Sequence, residues 1–264
     1  MKIEQIRNAT IHITYAGQNF LVDPWLAAKD TMGSFADFKI FQVPDQAKMT
    51  IKMPMCELPK SIDEILTGID AYIITHVHPD HIDMNADGTV GDMLHKDVLT
   101  FVQSEEDATT MKNSGFTKVH IMQQTGKDLA NGIRMFKTPG CHGTIVACGP
   151  SCGFIFQHPD EKTLYVAGDT IWYPEVKKVL QTYNPDVIVL NTCAAELVDN
   201  GRLIMDDNDI YEVYQTVPKA KIIASHMDTV AHASLTRQTL HEKLIQKGIA
   251  DQIIIPKDGE IHQF

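Results

Sequence analysis

The chain has 264 residues, of which 44% are hydrophobic, and a formal net charge of −11. This length is enough to bury a sizeable core, and we expect one α/β domain over residues 1–264. The negative charge argues against nucleic acid or an anionic membrane surface as the main partner. It still allows an anionic small-molecule substrate, because bound cations would make a site locally positive.

Three further sequence features bear on location. No apolar stretch approaches the roughly 20 residues that a membrane-spanning helix needs. The first residues, Met1-Lys2-Ile3-Glu4-Gln5, do not form a charged-then-apolar signal sequence. The five cysteines form no C-x-x-C pair, which indicates reduced thiols. We therefore predict a cytoplasmic protein.

The first half of the chain is predicted to be rich in strands. Alternating apolar residues over 10–15 and 20–22 predict a hairpin that ends at Asp23. The segment 25–60 is irregular yet rich in Phe and Met, so we interpret it as a lid or specificity segment. The alternative is a short helix or extra hairpin packed on the core. Strands are then predicted at 71–75 and 98–102, and a helix at 104–115.

The second half mixes strands and helices. Strands are predicted at 118–122, 133–137, 153–157, 163–167, 186–190, 221–224 and 252–255. Helices are predicted at 174–183, 209–217 and 235–246. No repeat or linker divides the chain. This order predicts two packed sheets with helices on their outer faces.

The most informative motif is Thr75-His76-Val77-His78-Pro79-Asp80-His81, which follows the apolar run 71–74. Its imidazoles and carboxylate suit a borderline divalent ion such as zinc. Four ligands in one short loop exceed what a single tetrahedral ion needs from it. The motif therefore predicts two adjacent ions.

Candidate ligands elsewhere share one context, because each follows an apolar strand: Asp23, His142, Asp169 and His226. Taken alone, each has a simpler explanation, such as a hydrogen-bonded structural His or a turn-forming Asp. Several strand ends that deliver Asp or His to one edge would build a site on an α/β scaffold. Together with the first motif, they predict a common metal centre.

These residues make the chain resemble the metallo-β-lactamase-fold hydrolase superfamily, whose hallmark is Thr-His-x-His-x-Asp-His followed by a His, an Asp and a His. The resemblance implies a four-layer αββα sandwich of two mixed sheets with helices outside. Finer features are similar to the branch containing L-ascorbate-6-phosphate lactonase: Asn8-Ala9-Thr10, Asp83 and Gly168-Asp169-Thr170. One departure is Asn8, because many relatives carry Gly-His before Ala-Thr.

The resemblance also implies how the ligands divide between two divalent ions, with zinc or manganese expected. One ion would be held by His76, His78 and His142, the other by Asp80, His81 and His226, with Asp169 bridging them. A hydroxide shared by the ions would attack the substrate, and Asp80 would also orient it. Asp23 would fix a ligand imidazole through its N–H, with His81 as the expected partner.

His232 is a second candidate catalytic residue, six positions after His226. It could protonate a leaving group or contact an anion. The alternative is a turn residue before a helix capped by Ser234. Arg237, in the first turn of that helix, is expected to be solvated or structurally paired.

The leading functional hypothesis is a metal-dependent hydrolase that cleaves an ester, a lactone or a similar bond in a small molecule. A phosphodiesterase is the alternative within enzymes. RNA processing has no support from a basic tract. A non-catalytic metal-binding protein is disfavoured because the ligand set leaves open positions, whereas structural zinc is normally closed. The sequence leaves a homo-oligomer open.

Overall fold

Two seven-stranded sheets form the centre of the protein in this computed structural model, which describes residues 1–39 and 41–264. The strands of the first sheet are β1 (Lys2–Arg7), β2 (Thr10–Tyr15), β3 (Gln18–Val22), β4 (Ala71–Ile74), β5 (Leu99–Val102), β6 (Val119–Ile121) and β16 (Ile261–Gln263). Their spatial order is β16-β1-β2-β3-β4-β5-β6.

The second sheet has the spatial order β15-β14-β11-β10-β9-β8-β7. Its strands are β7 (Lys127–Asp128), β8 (Arg134–Pro139), β9 (Cys152–His158), β10 (Glu161–Val166), β11 (Val187–Asn191), β14 (Lys221–Ser225) and β15 (Ile253–Ile254). A separate two-stranded hairpin consists of β12 (Glu196–Leu197) and β13 (Gly201–Arg202).

The described helices are short. They are α1 (Phe35–Phe38), α2 (Ile62–Leu66), α3 (Glu105–Asn113), α4 (Pro174–Tyr183), α5 (Asp207–Thr216) and α6 (Arg237–Gln246), with 3₁₀ turns at Gln46–Thr50, Ala130–Gly132 and Ala250–Gln252. Within the described ranges, no helix has the length and apolar character needed to cross a bilayer.

Strand β4 shows why the layers stack as they do. Its successive side chains alternate between two apolar clusters, since neighbouring residues of a strand point to opposite faces. Ala71 and Ile73 pack between the two sheets, whereas Tyr72 and Ile74 pack with Met111 of α3 on the outer face. Both faces are buried, as is typical of parallel strands in α/β proteins.

The second sheet repeats this arrangement. Val187 and Val189 of β11 point towards the first sheet, whereas Ile188 and Leu190 pack in an outer cluster with residues of α4, α5 and α6. Helix, sheet, sheet and helix therefore follow one another as four layers. The predicted αββα sandwich of two mixed sheets is confirmed.

The strand directions bring several carboxyl ends together. In the first sheet β3, β4, β5 and β6 run parallel, and in the second β10, β11, β14 and β15 do. The loops that leave these ends meet where the two sheets face each other. This edge carries the candidate ligands.

The base of the segment 25–60 is attached to the first sheet by Arg7 at the end of β1. The fully buried guanidinium donates to the carbonyl oxygens of Trp25 (3.1 Å), Ala27 (2.7 Å) and Cys56 (3.0 Å). The segment contains the short helix α1 and a 3₁₀ turn, which was the alternative expectation. Position 40 lies outside the described residues, and a lid role stays a prediction.

Candidate metal centre

The predicted ligands meet at the carboxyl edge of both sheets. The Thr75–His81 motif leaves β4, His142 and Asp169 each follow the last residue of a strand by three positions, and His226 follows β14 directly. Three sets of ligand atoms each lie within 4.8 Å of one another: His76, His78 and His142; His76, His81 and Asp169; and Asp80, His81 and His226.

Asp169 lies at the centre of this arrangement. Its Oδ2 is 3.2 Å from His81 Nε2, 3.7 Å from His142 Nε2 and 3.9 Å from His76 Nε2. On the far side, His226 Nε2 lies 3.4 Å from Asp80 Oδ2. Asp169 thus belongs to a set between the two outer sets, which is the position that a bridging carboxylate needs.

The nitrogen atoms that face this centre fit a cation. The Nε2 atoms of His76 and His81 are shielded from solvent and have no hydrogen-bond partner. A buried polar atom without a partner is costly, so native structures rarely contain one. The donor set of imidazole and carboxylate suits zinc and manganese. A divalent ion would satisfy these atoms.

The other ring nitrogen, Nδ1, is held by the protein in four of the imidazoles. The pairs are His76 with Thr75 Oγ1 (3.2 Å), His81 with Asp23 Oδ2 (2.9 Å), His142 with the Leu203 carbonyl oxygen (3.2 Å) and His226 with Cys193 Sγ (3.5 Å). Such contacts fix the ring orientation and direct Nε2 towards a metal.

Asp23 occupies the position expected of it beside His81. Its carboxylate also accepts from Thr75 N and Thr75 Oγ1, both at 2.7 Å. Because the Thr75 hydroxyl hydrogen is donated to Asp23, its oxygen is free to accept from His76 Nδ1. Asp23 therefore organises two ligand imidazoles, one directly and one through Thr75.

Two asparagines contact the ligands, which the sequence did not predict; in the sequence, Asn8 is noted only as a departure from the family pattern. Asn191 Nδ2 donates to Asp169 Oδ1 at 2.6 Å. Asn8 Nδ2 donates to the Asp80 carbonyl oxygen at 2.9 Å and lies 3.1 Å from His226 Nε2. Asn191 is the last residue of β11, so the rule that identified Asp169 and His226, a polar residue after a buried strand, would also have found it.

The electrostatics separate the ligands into two groups. Burial lowers the pKa of His76, His78 and His142, that of His78 to about 4, so these imidazoles are neutral near pH 7. Burial opposes a charge on His81 as well, but the Asp169 and Asp23 carboxylates raise its pKa to about 10.

At Asp169 and His226, too, neighbouring charged groups outweigh the effect of burial on the pKa. Burial alone would raise the pKa of Asp169, but His81 and His226 hold it well below its usual range. The pKa of His226 is raised well above its ordinary value against the effect of burial, because Cys193, Asp169 and Asp80 favour its cation. Asp169 is therefore an anion, ready to coordinate.

His232 lies close to the centre, but in a different environment. Its half-buried ring contacts Phe35 edge-on with centroids 5.2 Å apart, and its shielded Nδ1 has no hydrogen-bond partner. Burial lowers the pKa of His232 to about 4, although Asp80 opposes this. Its catalytic role stays a prediction.

The structure corrects one detail of the alternative for His232. The following helix α6 is capped by Thr236, whose side chain accepts from Thr239 N, and not by Ser234. Arg237 pairs with Asp228 (3.1 Å) and with Asp258, so it is structurally engaged, as expected.

Comparison with known proteins identifies the family of the chain. Residues 18–227 match the family described as Beta-lactamase superfamily domain. The UPF0173 protein YddR of Bacillus subtilis is 42% identical over the full length of both chains. A UPF0173 metal-dependent hydrolase of Methanopyrus kandleri is 22% identical, also over the full length of both.

A solved structure is similar over the same extent. Isothiocyanate hydrolase from Delia radicum gut bacteria is 37% identical, with a TM-score of 0.88 over 100% of this chain and 99% of that one. The family match, residues 18–227, includes Asp23 and every predicted metal ligand from His76 to His226. The chain belongs to the Beta-lactamase superfamily domain family and is a metal-dependent hydrolase of the metallo-β-lactamase superfamily.

Proposed function

We propose that this hydrolase binds two divalent ions, zinc or manganese, and cleaves a small electrophilic molecule of the isothiocyanate type. The observation that carries the dinuclear site is the position of Asp169 between two complete sets of ligands. Each outer set supplies three protein atoms and leaves a position open, as catalytic metal sites do. The proposed sets are those of His76, His78 and His142, and of Asp80, His81 and His226.

The chemistry of the centre follows from its donors. When bound, the ions supply Lewis acidity and lower the pKa of water towards neutrality. Asp80, which belongs to one ligand set and lies 3.4 Å from His226, is proposed also to orient the attacking water. His78 is the most exposed of the ligand imidazoles, so we propose that substrate enters beside it.

The isothiocyanate class is proposed from the relative that is 37% identical over the whole chain. In its hydrolysis, R–N=C=S and H₂O give R–NH₂ and O=C=S. The water oxygen bonds to the central carbon, both water protons pass to nitrogen, and the nitrogen–carbon bond breaks. We propose His232, a neutral imidazole near pH 7, for the proton transfer to nitrogen.

A lactone or ester is the second candidate substrate. The observation that favours it is the Gly168-Asp169-Thr170 segment, which is similar to the ascorbate-6-phosphate lactonase branch and supplies the central carboxylate of Asp169. The same centre could serve a small phosphodiester. The three classes differ in the electrophilic atom, which is a thiocarbonyl-type carbon, an acyl carbon or phosphorus.

Metal content tests the dinuclear proposal. Protein purified without chelator should contain about two ions per chain by plasma mass spectrometry, as the two open sets require. Asp169→Ala should lower this content, whereas Asp128→Ala, at a side chain 87% exposed, should not. At most one ion, unaffected by Asp169→Ala, would show that Asp169 does not bridge.

A substrate panel tests the reaction. Benzyl isothiocyanate, a γ-lactone, a p-nitrophenyl ester and bis(p-nitrophenyl) phosphate should be compared on the metal-loaded protein. We expect the isothiocyanate to have the highest kcat/KM. Turnover of the diester alone would overturn both carbon-centred proposals, and no turnover with two bound ions would favour a non-catalytic protein.

A further inference from the structure

The loop 143–148 starts directly after one predicted metal ligand, His142, and ends beside another, His78. It follows His142 directly, and Cys148 N donates to the His142 carbonyl oxygen at 2.7 Å, which closes the loop. One residue further, a Cβ placed on Gly149 would lie 3.4 Å from His78 Nε2. The loop therefore forms part of the mouth of the centre, on the side of its most exposed ligand.

The tip of this loop is apolar and exposed. The side chains of Ile145 and Val146 are 69% and 61% exposed, the two highest values among the exposed large hydrophobic residues. A chain advances at most about 3.6 Å per residue, so each Cα lies within roughly 11 Å of His142 or Gly149. Two adjacent, strongly exposed apolar side chains beside a site are a candidate surface for a ligand.

The hairpin β12–β13 holds the loop in place. Asn200, in the turn of that hairpin, accepts from Ile145 N at 3.0 Å and donates from Nδ2 to the Val146 carbonyl oxygen at 3.1 Å. Arg202 N donates to Thr144 Oγ1 at 2.9 Å. The tip's backbone is thus paired with protein. The Ile145 side chain lies over Gly201 of the hairpin, where an added Cβ would be 2.9 Å from its Cγ1, and both apolar side chains stay mostly exposed.

Arg202 is the cationic side chain beside this surface, but it is already paired with carboxylates and is not available to bind an anionic ligand. The Arg202 guanidinium is engaged by Asp209 (2.5 Å) and Asp206 (3.5 Å). On the same hairpin Val198 adds a third exposed apolar side chain, 48% exposed. The exposed large apolar side chains of the loop and the hairpin are therefore Ile145, Val146 and Val198.

We propose that Ile145 and Val146 form an apolar wall that binds the non-reacting alkyl or aryl group of the substrate and sets its specificity. This rests on the proposed function. The apolar wall predicts that the enzyme prefers a substrate with a hydrophobic substituent to a sugar phosphate. The contact is preformed, because Asn200 holds the loop before any ligand binds.

The test is a series of isothiocyanates of rising apolar size, namely methyl, butyl and phenethyl isothiocyanate, on the metal-loaded protein. Full burial of one methylene is worth about fourfold in affinity, so partial burial should raise kcat/KM about twofold per carbon. The double variant Ile145→Ser/Val146→Ser should lower the phenethyl-to-methyl ratio about tenfold. The matched variants Ile261→Ser and Ile245→Ser, at side chains 60% and 57% exposed on β16 and α6, should leave it unchanged.

A binding measurement separates the two levels of the proposal. Alkyl hydroxamic acids of rising chain length chelate the metal, and calorimetry gives their Kd without turnover. A length-dependent Kd that the double variant abolishes supports the wall even if the substrate class is wrong. A Kd independent of chain length overturns the wall, whereas no hydroxamate binding at all overturns the metal centre. Dissociation of a dimer by the double variant would assign the patch to a second copy and overturn the proposal.

Discussion

Asn191 Nδ2 lies 2.6 Å from Asp169 Oδ1, so the two oxygens of this carboxylate have different surroundings. Oδ1 is held by an amide at the end of β11, while Oδ2 faces the imidazoles of His76, His81 and His142. The amide therefore fixes the carboxylate plane and directs one oxygen towards the ligands.

Asn191→Ala should weaken metal binding about 10- to 100-fold, the usual cost of losing a group that orients a ligand. Competition with a coloured chelator gives the affinity. Asn113→Ala, at an exposed position at the end of α3, is the matched control and should bind as the wild type does. An unchanged affinity in Asn191→Ala would mean that the ions themselves orient Asp169.

Asp23→Ala should affect both metal binding and stability. It removes the partner of His81 Nδ1, and it leaves the buried Thr75 N–H without its acceptor. We expect metal affinity to fall 10- to 100-fold. The free energy of unfolding should fall by about 1–3 kcal/mol. Urea denaturation of the metal-free protein measures the second effect alone. A loss of affinity without loss of stability would show that Thr75 finds another acceptor.

Metal binding should release protons, and affinity should rise with pH. Burial lowers the pKa of His81, but the Asp169 and Asp23 carboxylates outweigh this effect and raise the pKa to about 10. This imidazole is therefore protonated at pH 7 in the metal-free protein. A ligand must lose that proton to coordinate, so affinity should rise about tenfold per pH unit for each proton released. Calorimetry in two buffers of different ionisation enthalpy counts the protons, and an affinity constant from pH 6 to 8 would contradict the expectation.

Gly168→Ala should destabilise the fold and disturb the adjacent Asp169. Gly168 has φ of +65°, and an added Cβ would lie 2.2 Å from the Cys152 carbonyl oxygen. Gly68→Ala is a close control, because its φ is +73° but nothing lies within 4 Å of the added atom. The control should lower the free energy of unfolding by about 1 kcal/mol through backbone strain alone. Gly168→Ala should lower it by several kcal/mol, as measured by thermal or urea unfolding. Equal effects would show that β9 moves away at little cost.

The sequence predicted those parts of the fold whose apolar pattern is strong. Strands β4 and β11, with both faces buried, were found from their continuous apolar runs. Strand β1 was missed because Glu4, Gln5 and Arg7 are buried there despite their polarity. Strand β7 and the hairpin β12–β13 have two-residue strands, too short for a periodic signal.

The ligands were predictable because the chemistry requires particular residue types next to strand ends. The groups that orient them were harder to find, because backbone carbonyls, amides and thiols serve equally well. The Leu203 carbonyl oxygen beside His142 and the Cys193 thiol beside His226 carry no sequence signal of that role. Such contacts depend on how the two sheets pack.

The origin of the ligands gives the ions a mechanical role as well. The motif from His76 to His81 belongs to a loop of the first sheet, whereas His142, Asp169 and His226 follow strands of the second. Bound ions would cross-link the two halves of the sandwich at one edge. Because a ligand that binds only the folded state stabilises it by mass action, an ion at 100 times its Kd would add about 2.7 kcal/mol. The melting temperature of this protein is therefore expected to report the free-ion concentration around it.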